Sequence, residues 1–242
     1  MAHTFSSVLA GQRALFPTAD VSRAGQPSVY FRALVDLGNG DVAGIEASRA
    51  GTASPVDGPS FRLSDRTALQ NASAQDPLGA WGNAIRQPAA YLVRGDLDSS
   101  PASLAATVQA PFDRIIIMYD MAALLVAPGR AIDVLLAAKR LGARVLLDNF
   151  DLADPPARFM ELLPADILRV DPRRMPWHWE EPRGQETMAS LVRFADNLLM
   201  DVASEDVQSI GRKQELKDLG VRYGQGGWRL DTAGVLPDPG IL

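Results

Sequence analysis

Residues 141–171 read LGARVLLDNFDLADPPARFMELLPADILRVD, and the order of signals within them decides the class of fold. Gly142 stops a preceding helix, and Arg144 to Leu147 form a short apolar run suited to a buried strand. Pro155 and Pro156 sit where a first helical turn tolerates proline, so a helix is predicted over 155–162 and a second strand over 166–170. Working outward, the same phrasing recurs. Strands are predicted over 91–93 and 115–119, with helices over 103–109 and 131–141. Further on come a helix over 186–198, a short strand over 199–202 and a helix over 206–219 stopped by Gly220. The run Ile115-Ile116-Ile117-Met118-Tyr119 is apolar throughout, as a strand covered on both faces must be. Strand and helix alternating at this spacing imply a parallel sheet, and the alternation is compatible with a closed barrel or an open doubly wound sheet.

Upstream the pattern differs. SVYFRALVDLGNGDVAGIEASRA (residues 28–50) places two β-runs around Gly38-Asn39-Gly40-Asp41 and predicts a hairpin. Residues 51–75 are rich in Gly, Pro, Ser and Asp and read as a long loop, with a short helix after it over 78–87. Residues 1–25 read as a lead-in and 26–242 as one barrel-sized domain.

The chain of 242 residues is 47% hydrophobic, enough for a sizeable core, and its net charge of -5 is spread along the sequence. That balance argues against a nonspecific binder of nucleic-acid polymers and against a polybasic membrane anchor. No cysteine is present, which excludes disulfides and thiolate metal sites; with no signal peptide and no apolar span, the expectation is a soluble, cytoplasmic protein without membrane insertion.

Three blocks resemble the EAL family of bacterial cyclic-di-GMP phosphodiesterases. FRALVDLGNGDVAGIEASRAG is similar to the family's opening hairpin, and residues 141–171 to the strand ending in two aspartates followed by the strand ending in lysine. VASEDVQSIGRKQELKDLGVRYGQG is similar to the helix and strand that close the barrel. The resemblance implies a modified TIM (β/α)8 barrel with one strand running against the rest. Its site would lie at the carboxyl ends of the strands and would bind cyclic-di-GMP and two divalent metals.

Phosphodiester hydrolysis by a metal pair needs several hard oxygen ligands. On the resemblance, Glu46 stands at the signature glutamate, Asp148 at the first paired aspartate, Glu205 before the penultimate helix and Gln225 at the closing glutamine. Five departures stand beside them. Asn149 replaces the second aspartate, and Arg169 replaces lysine, a substitution that is not equivalent because the guanidinium is a planar fork of different reach. Asp120 is all that remains near an expected glutamate, no asparagine lies between Asn83 and Asn149, and Gln208 replaces a loop-supporting glutamate. The expectation is a vestigial site with no catalytic residues, no bound metal and no cofactor, Mg²⁺ or Mn²⁺ entering only if turnover is found.

Two binding roles are expected instead. Arg32, Arg49, Arg94 and Arg169 are candidates to meet the phosphates of cyclic-di-GMP, with rim ion pairs as the plain alternative. The loop holding Arg174, Met175, Trp177 and Trp179 carries residue types enriched at interfaces, which makes it a candidate surface for a protein partner or a second copy in a homodimer; folding back over the barrel rim explains it equally well. The function implied is regulatory, through protein contacts, with a non-hydrolytic nucleotide receptor as the alternative and an active phosphodiesterase third.

Overall fold

A computed structural model of the protein describes residues 29–49, 89–150, 157–174, 181–226, 228–231 and 234–237. Eight strands close into a barrel: β1 (Val29–Asp36), β2 (Val42–Arg49), β3 (Tyr91–Arg94), β4 (Ile115–Asp120), β5 (Arg144–Asp148), β6 (Ile167–Val170), β7 (Asp201–Val207) and β8 (Tyr223–Gly226). β1 is antiparallel to both of its neighbours, β2 and β8, and every other pairing is parallel. The closed α/β barrel with one reversed strand is the architecture that the resemblance implied.

The reversal is written into the turn after β1. Asp36 accepts from the backbone N–H of Gly38 at 2.8 Å, Asn39 Oδ1 accepts from the N–H of Asp41 at 2.9 Å, and Gly40 takes a φ of 82°. A side chain is disfavoured at that φ, so glycine fits there.

Outside the barrel lie α1 (Pro101–Val108), α2 (Met121–Val126), α3 (Pro128–Arg140), α4 (Ala157–Met160), α5 (Pro182–Asn197) and α6 (Ile210–Asp218). Strand alternation splits the core into two shells. Leu34, Leu92, Ile116, Met118, Leu146, Ile167, Ala203 and Tyr223 fill the interior. Val35, Val93, Ile117, Leu147, Leu168 and Val202 face outward onto Leu104, Leu135, Leu191 and Leu216 of the helices. β4 is therefore apolar on both faces for a reason: neither face meets water. The inward positions one step beyond the apolar interior layer are where the polar residues stand.

Helices expected from 103, 131 and 186 begin earlier, at Pro101, Pro128 and Pro182, and the largest differences from the sequence reading lie around β7. The strand expected over 199–202 runs instead from Asp201 to Val207, and the helix expected from 206 begins at Ile210 behind the cap Ser209, whose hydroxyl accepts from the N–H of Arg212. The Asp and Glu in DVASEDV mask a strand whose inward face is charged at its end. Leu199, at φ 59° and 91% exposed, belongs to the turn before β7. Helix α2 and the β9 (Trp228–Asp231)–β10 (Gly234–Pro237) hairpin were not anticipated. Helix α4 is described only over Ala157–Met160, and the lead-in 1–25, the loop 51–75 and the helix over 78–87 fall outside the described residues. Among the described residues no helix is long and apolar enough to cross a membrane.

Candidate functional site

At the carboxyl ends of the parallel strands a single side chain organises the mouth of the barrel. Arg169, the inward residue one step past Ile167 on β6, is 1% exposed. Its Nε donates to Asp148 Oδ1 and its Nη2 to Asp148 Oδ2, both at 2.8 Å, a two-pronged pairing with β5. Its Nη1 donates to Glu46 Oε2 at 2.9 Å and to Gln225 Oε1 at 2.7 Å, reaching β2 and β8. Gln225 Nε2 returns a bond to Glu46 Oε2 at 3.0 Å, and Glu205 of β7 lies 3.4 Å from Arg169 Nε. One guanidinium thus joins β6 to β2, β5, β7 and β8.

A second tier of arginines closes over the first. Arg94, at the end of β3, donates to Asp148 Oδ2 at 3.2 Å. Arg32 of β1 approaches Glu205 at 3.4 Å and Glu46 at 3.9 Å. β4 joins through Asp120, which accepts from the N–H groups of Ala122 and Ala123 to cap α2 and also accepts from Asn149 Nδ2 at 2.6 Å. Asn149, at φ 55°, in turn accepts from Arg174 Nη1 at 2.8 Å. Asparagine tolerates that backbone region better than most residues.

The electrostatics follow from the geometry. Burial by itself pushes the Glu46 carboxyl up, but the Arg169 guanidinium, with Arg32, more than offsets it and holds Glu46 below the usual range. Burial acts on Asp148 in the same sense, and Arg169 and then Arg94 hold it well below the ordinary carboxylate value. Burial disfavours the Arg169 cation, while Asp148 and Glu46 keep it firmly protonated. Both carboxylates are therefore charged and already neutralised by the chain's own cations.

This arrangement does not fit a divalent metal pair. A hard cation between Glu46 and Asp148 would have to lie where the Arg169 guanidinium lies, against its positive charge. Among the described residues no group of three or more His, Cys, Asp or Glu is placed to hold a metal ion. An anion meets little net attraction either. The described mouth holds five guanidiniums (Arg32, Arg94, Arg169, Arg173, Arg174) against six carboxylates (Glu46, Asp120, Asp148, Asp171, Glu205, Asp206).

The structure brings together Glu46, Asp148, Arg169, Glu205, Gln225, Arg32 and Arg94, with Asp120, Asn149 and Arg174 beside them. Gln208 is not among them: from just past β7 it donates to Asp206 of that strand and touches none of the clustered residues. The side chains of Arg49, Met175, Trp177 and Trp179 lie outside the described residues. Arg173 was missed. It forks onto Asp171 Oδ1 and Oδ2 at 2.9 and 3.0 Å and comes within 3.6 Å of Glu205. The signal was present in Asp171-Pro172-Arg173-Arg174, an acid and two arginines directly after a strand end.

The EAL domain family matches residues 102–228. An uncharacterized protein of Azorhizobium caulinodans is 27% identical over 166 residues, which is 66% of this chain but 23% of that protein's length. Among solved structures, PaMucR phosphodiesterase in complex with c-di-GMP superposes with a TM-score of 0.60 at 14% identity, covering 88% of this chain and 93% of that one. The EAL domain of Mycobacterium smegmatis DcpA gives 0.59 at 16%, covering 82% and 89%. Bacillus subtilis YkuI, a protein with an EAL domain in complex with c-di-GMP and calcium, gives 0.58 at 13%, covering 82% and 52%. The chain spans 60% of EAL enzyme Bd1971, at a TM-score of 0.60 and 18% identity. These likenesses show a shared fold, and the sequence match extends over just more than half of the chain: it belongs to the EAL domain family.

Proposed function

We propose that this EAL domain does not hydrolyse cyclic-di-GMP and acts as a regulatory domain through contacts with another protein. The proposed setting is bacterial cyclic-di-GMP, motility or surface-attachment control in the cytoplasm. One observation carries the reading: the Arg169 guanidinium bonds Asp148 through two prongs and Glu46 through a third. A metal-dependent phosphodiesterase needs those carboxylates free to hold cations that activate water and neutralise the phosphate. Here they hold an arginine. Asn149 weakens the same position further, since an amide brings no negative charge to a ligand set.

The setting rests on family membership and on what solved relatives bind, PaMucR and YkuI having been seen with c-di-GMP. Incubation of the purified chain with cyclic-di-GMP and excess Mg²⁺ or Mn²⁺ tests the first half. The reading expects no linear dinucleotide; product that disappears on Glu46→Ala overturns it. The second half is tested by affinity capture with the chain and with a Trp177→Ala, Trp179→Ala variant. Loss of a partner with the fold intact supports a docking role for that loop, and identical capture by both removes it.

A second reading has one observation in its favour. Arg32 and Arg94 reach the barrel mouth with part of their side chains exposed, where a phosphate can approach them. A non-hydrolytic cyclic-di-GMP receptor would use them. Calorimetric titration without metal distinguishes the two: micromolar heat lost on Arg32→Ala favours the receptor.

A further inference from the structure

At the amino-terminal end of the parallel strands, opposite the mouth, the chain turns from helix into β5, β6 and β7, three neighbouring strands. Each of those turns exposes one leucine: Leu141 at 40%, Leu162 at 61% and Leu199 at 91%. Because the turns follow the strand order, the three leucines stand along one arc of that rim, with Leu162 in the middle.

Leu199 is the least expected of them. Helices α3, α5 and α6 end in the same pair of backbone bonds. They run from Gly142 to Lys139 and Ala143 to Ala138, from Leu199 to Asp196 and Met200 to Ala195, and from Gly220 to Lys217 and Val221 to Leu216. The first donor of each pair takes a left-handed φ, 91° at Gly142, 87° at Gly220 and 59° at Leu199. Glycine adopts that backbone freely and leucine does not. Burial offers no compensation, because the Leu199 side chain is almost wholly in solvent. A residue that breaks the local rule with no gain inside the fold points to a gain outside it.

The two ends of the arc carry opposite charge. Arg140 directly precedes Leu141, while its neighbour Lys139 is held by Asp166. Asp196 lies in the turn that Leu199 closes, its carbonyl accepting from the Leu199 N–H. Arg140 and Asp196 are both exposed, and among the described residues neither enters an ion pair. A two-fold contact sets a surface against itself, so each end of the arc meets the opposite end of the other copy. With Leu162 on the axis, Leu141 and Arg140 of one copy lie over Leu199 and Asp196 of the other.

We propose that this leucine arc is a self-complementary surface through which two copies of the chain pair, leaving both barrel mouths facing outward. Three leucines fall well short of the ~800 Å² per partner of a standard interface. Glu161, beside Leu162, meets its own copy near the axis and opposes the contact. The pairing is therefore weak and reversible. It is independent of the chemistry at the mouth.

Sedimentation velocity of the full chain at rising concentration tests the pairing, which is expected to appear between about 0.1 and 1 mM. Leu199→Asn keeps a residue that tolerates the left-handed turn, so its melting temperature should be equal or higher while dimerisation weakens about ten-fold or more. Arg140→Asp and Asp196→Arg should each weaken it too, and an equimolar mixture of those two variants should associate again as unlike chains. Glu161→Gln should strengthen it. A wild-type chain still monomeric at about 1 mM overturns the proposal. So does a dimer unchanged by Leu199→Asn, a lowered melting temperature in that variant, or a mixture that associates no better than its components.

Discussion

Arg169 and Asp148 meet at the barrel mouth through two parallel N–H···O bonds of 2.8 Å each, from adjacent strands β6 and β5. Strand neighbours with inward side chains at the same end of a barrel converge by necessity. What is particular here is their chemistry: a fixed, buried cation set against carboxylates that are themselves almost wholly buried. The pair is also the hub through which Glu46, Gln225, Glu205 and Arg94 are held.

Removing the hub leaves buried charge behind. Arg169→Met strands Glu46 and Asp148 together in the mouth, and breaking a buried pair in this way costs about 3–5 kcal/mol. Arg169→Lys keeps the charge but has no fork to span Asp148 and Glu46 at once, so its loss should be intermediate. Urea unfolding of the three proteins gives the order wild type, Arg169→Lys, Arg169→Met. A wild-type midpoint for Arg169→Met would mean that the cluster contributes nothing to stability.

Acid should find the same cluster. Glu46 and Asp148 are held below their ordinary values of 4.5 and 3.8, so the unfolded chain binds protons more readily than the folded one as pH falls. The stabilisation they confer is complete above those ordinary values and is lost progressively below them. Arg169, raised further from an already high value, stays protonated throughout. Unfolding free energy should therefore hold level with respect to these groups from pH 7 to about 5 and fall below about pH 4. In Glu46→Gln that acid slope should be shallower, and an unchanged slope would count against the assignment.

Tyr119 offers the opposite case. Its ring packs on Gly95, where an added Cβ would lie 2.7 Å from a ring carbon, and its hydroxyl is buried without a hydrogen-bond partner. Burial, with the Asp96 carboxylate as a second cause, drives its pKa up, so the group stays neutral. Tyr119→Phe removes an unpaired polar group and should leave the melting temperature equal or raise it, by up to about 1 kcal/mol of stability. A loss of more than that amount would reveal a partner for the hydroxyl.

Gly226 allows β8 to close against the far end of β7. A Cβ there would lie 2.1 Å from the Val207 carbonyl oxygen, a backbone atom that cannot rotate away. Gly226→Ala should break the Val207–Gly226 pairing and cost about 3 kcal/mol, the upper end of overpacking penalties. Calorimetric melting close to wild type would show that the strand end can shift freely.

How far the sequence alone reaches can be seen residue by residue. The βαβ phrasing around 141–171 is legible because apolar runs and helix stops are local signals. Barrel closure is not, since an open sheet has the same local pattern; it came from the resemblance of three blocks. β7 was cut short because Glu205 and Asp206 read as helix or loop, and only the barrel interior explains a charged strand end. Glu46, Asp148 and Arg169 could each be aligned to a position. That one guanidinium serves both carboxylates is a fact of three-dimensional reach across residues 46, 148 and 169, which no spacing along the chain encodes. Asn149 was placed at the site from the sequence, but its bonds to Asp120 and Arg174 were not legible there, because those partners lie on other elements.

Arg169 stands where a divalent cation would have to bind. Calorimetric titration of the intact chain with Mn²⁺, repeated after exhaustive treatment with EDTA, tests it directly. With the guanidinium in that place, no saturable heat is expected, and neither Mn²⁺ nor its removal should shift the melting temperature. Saturable binding of one or two ions per chain, abolished by Glu46→Gln, would show that the carboxylates release Arg169 to a metal and would contradict it.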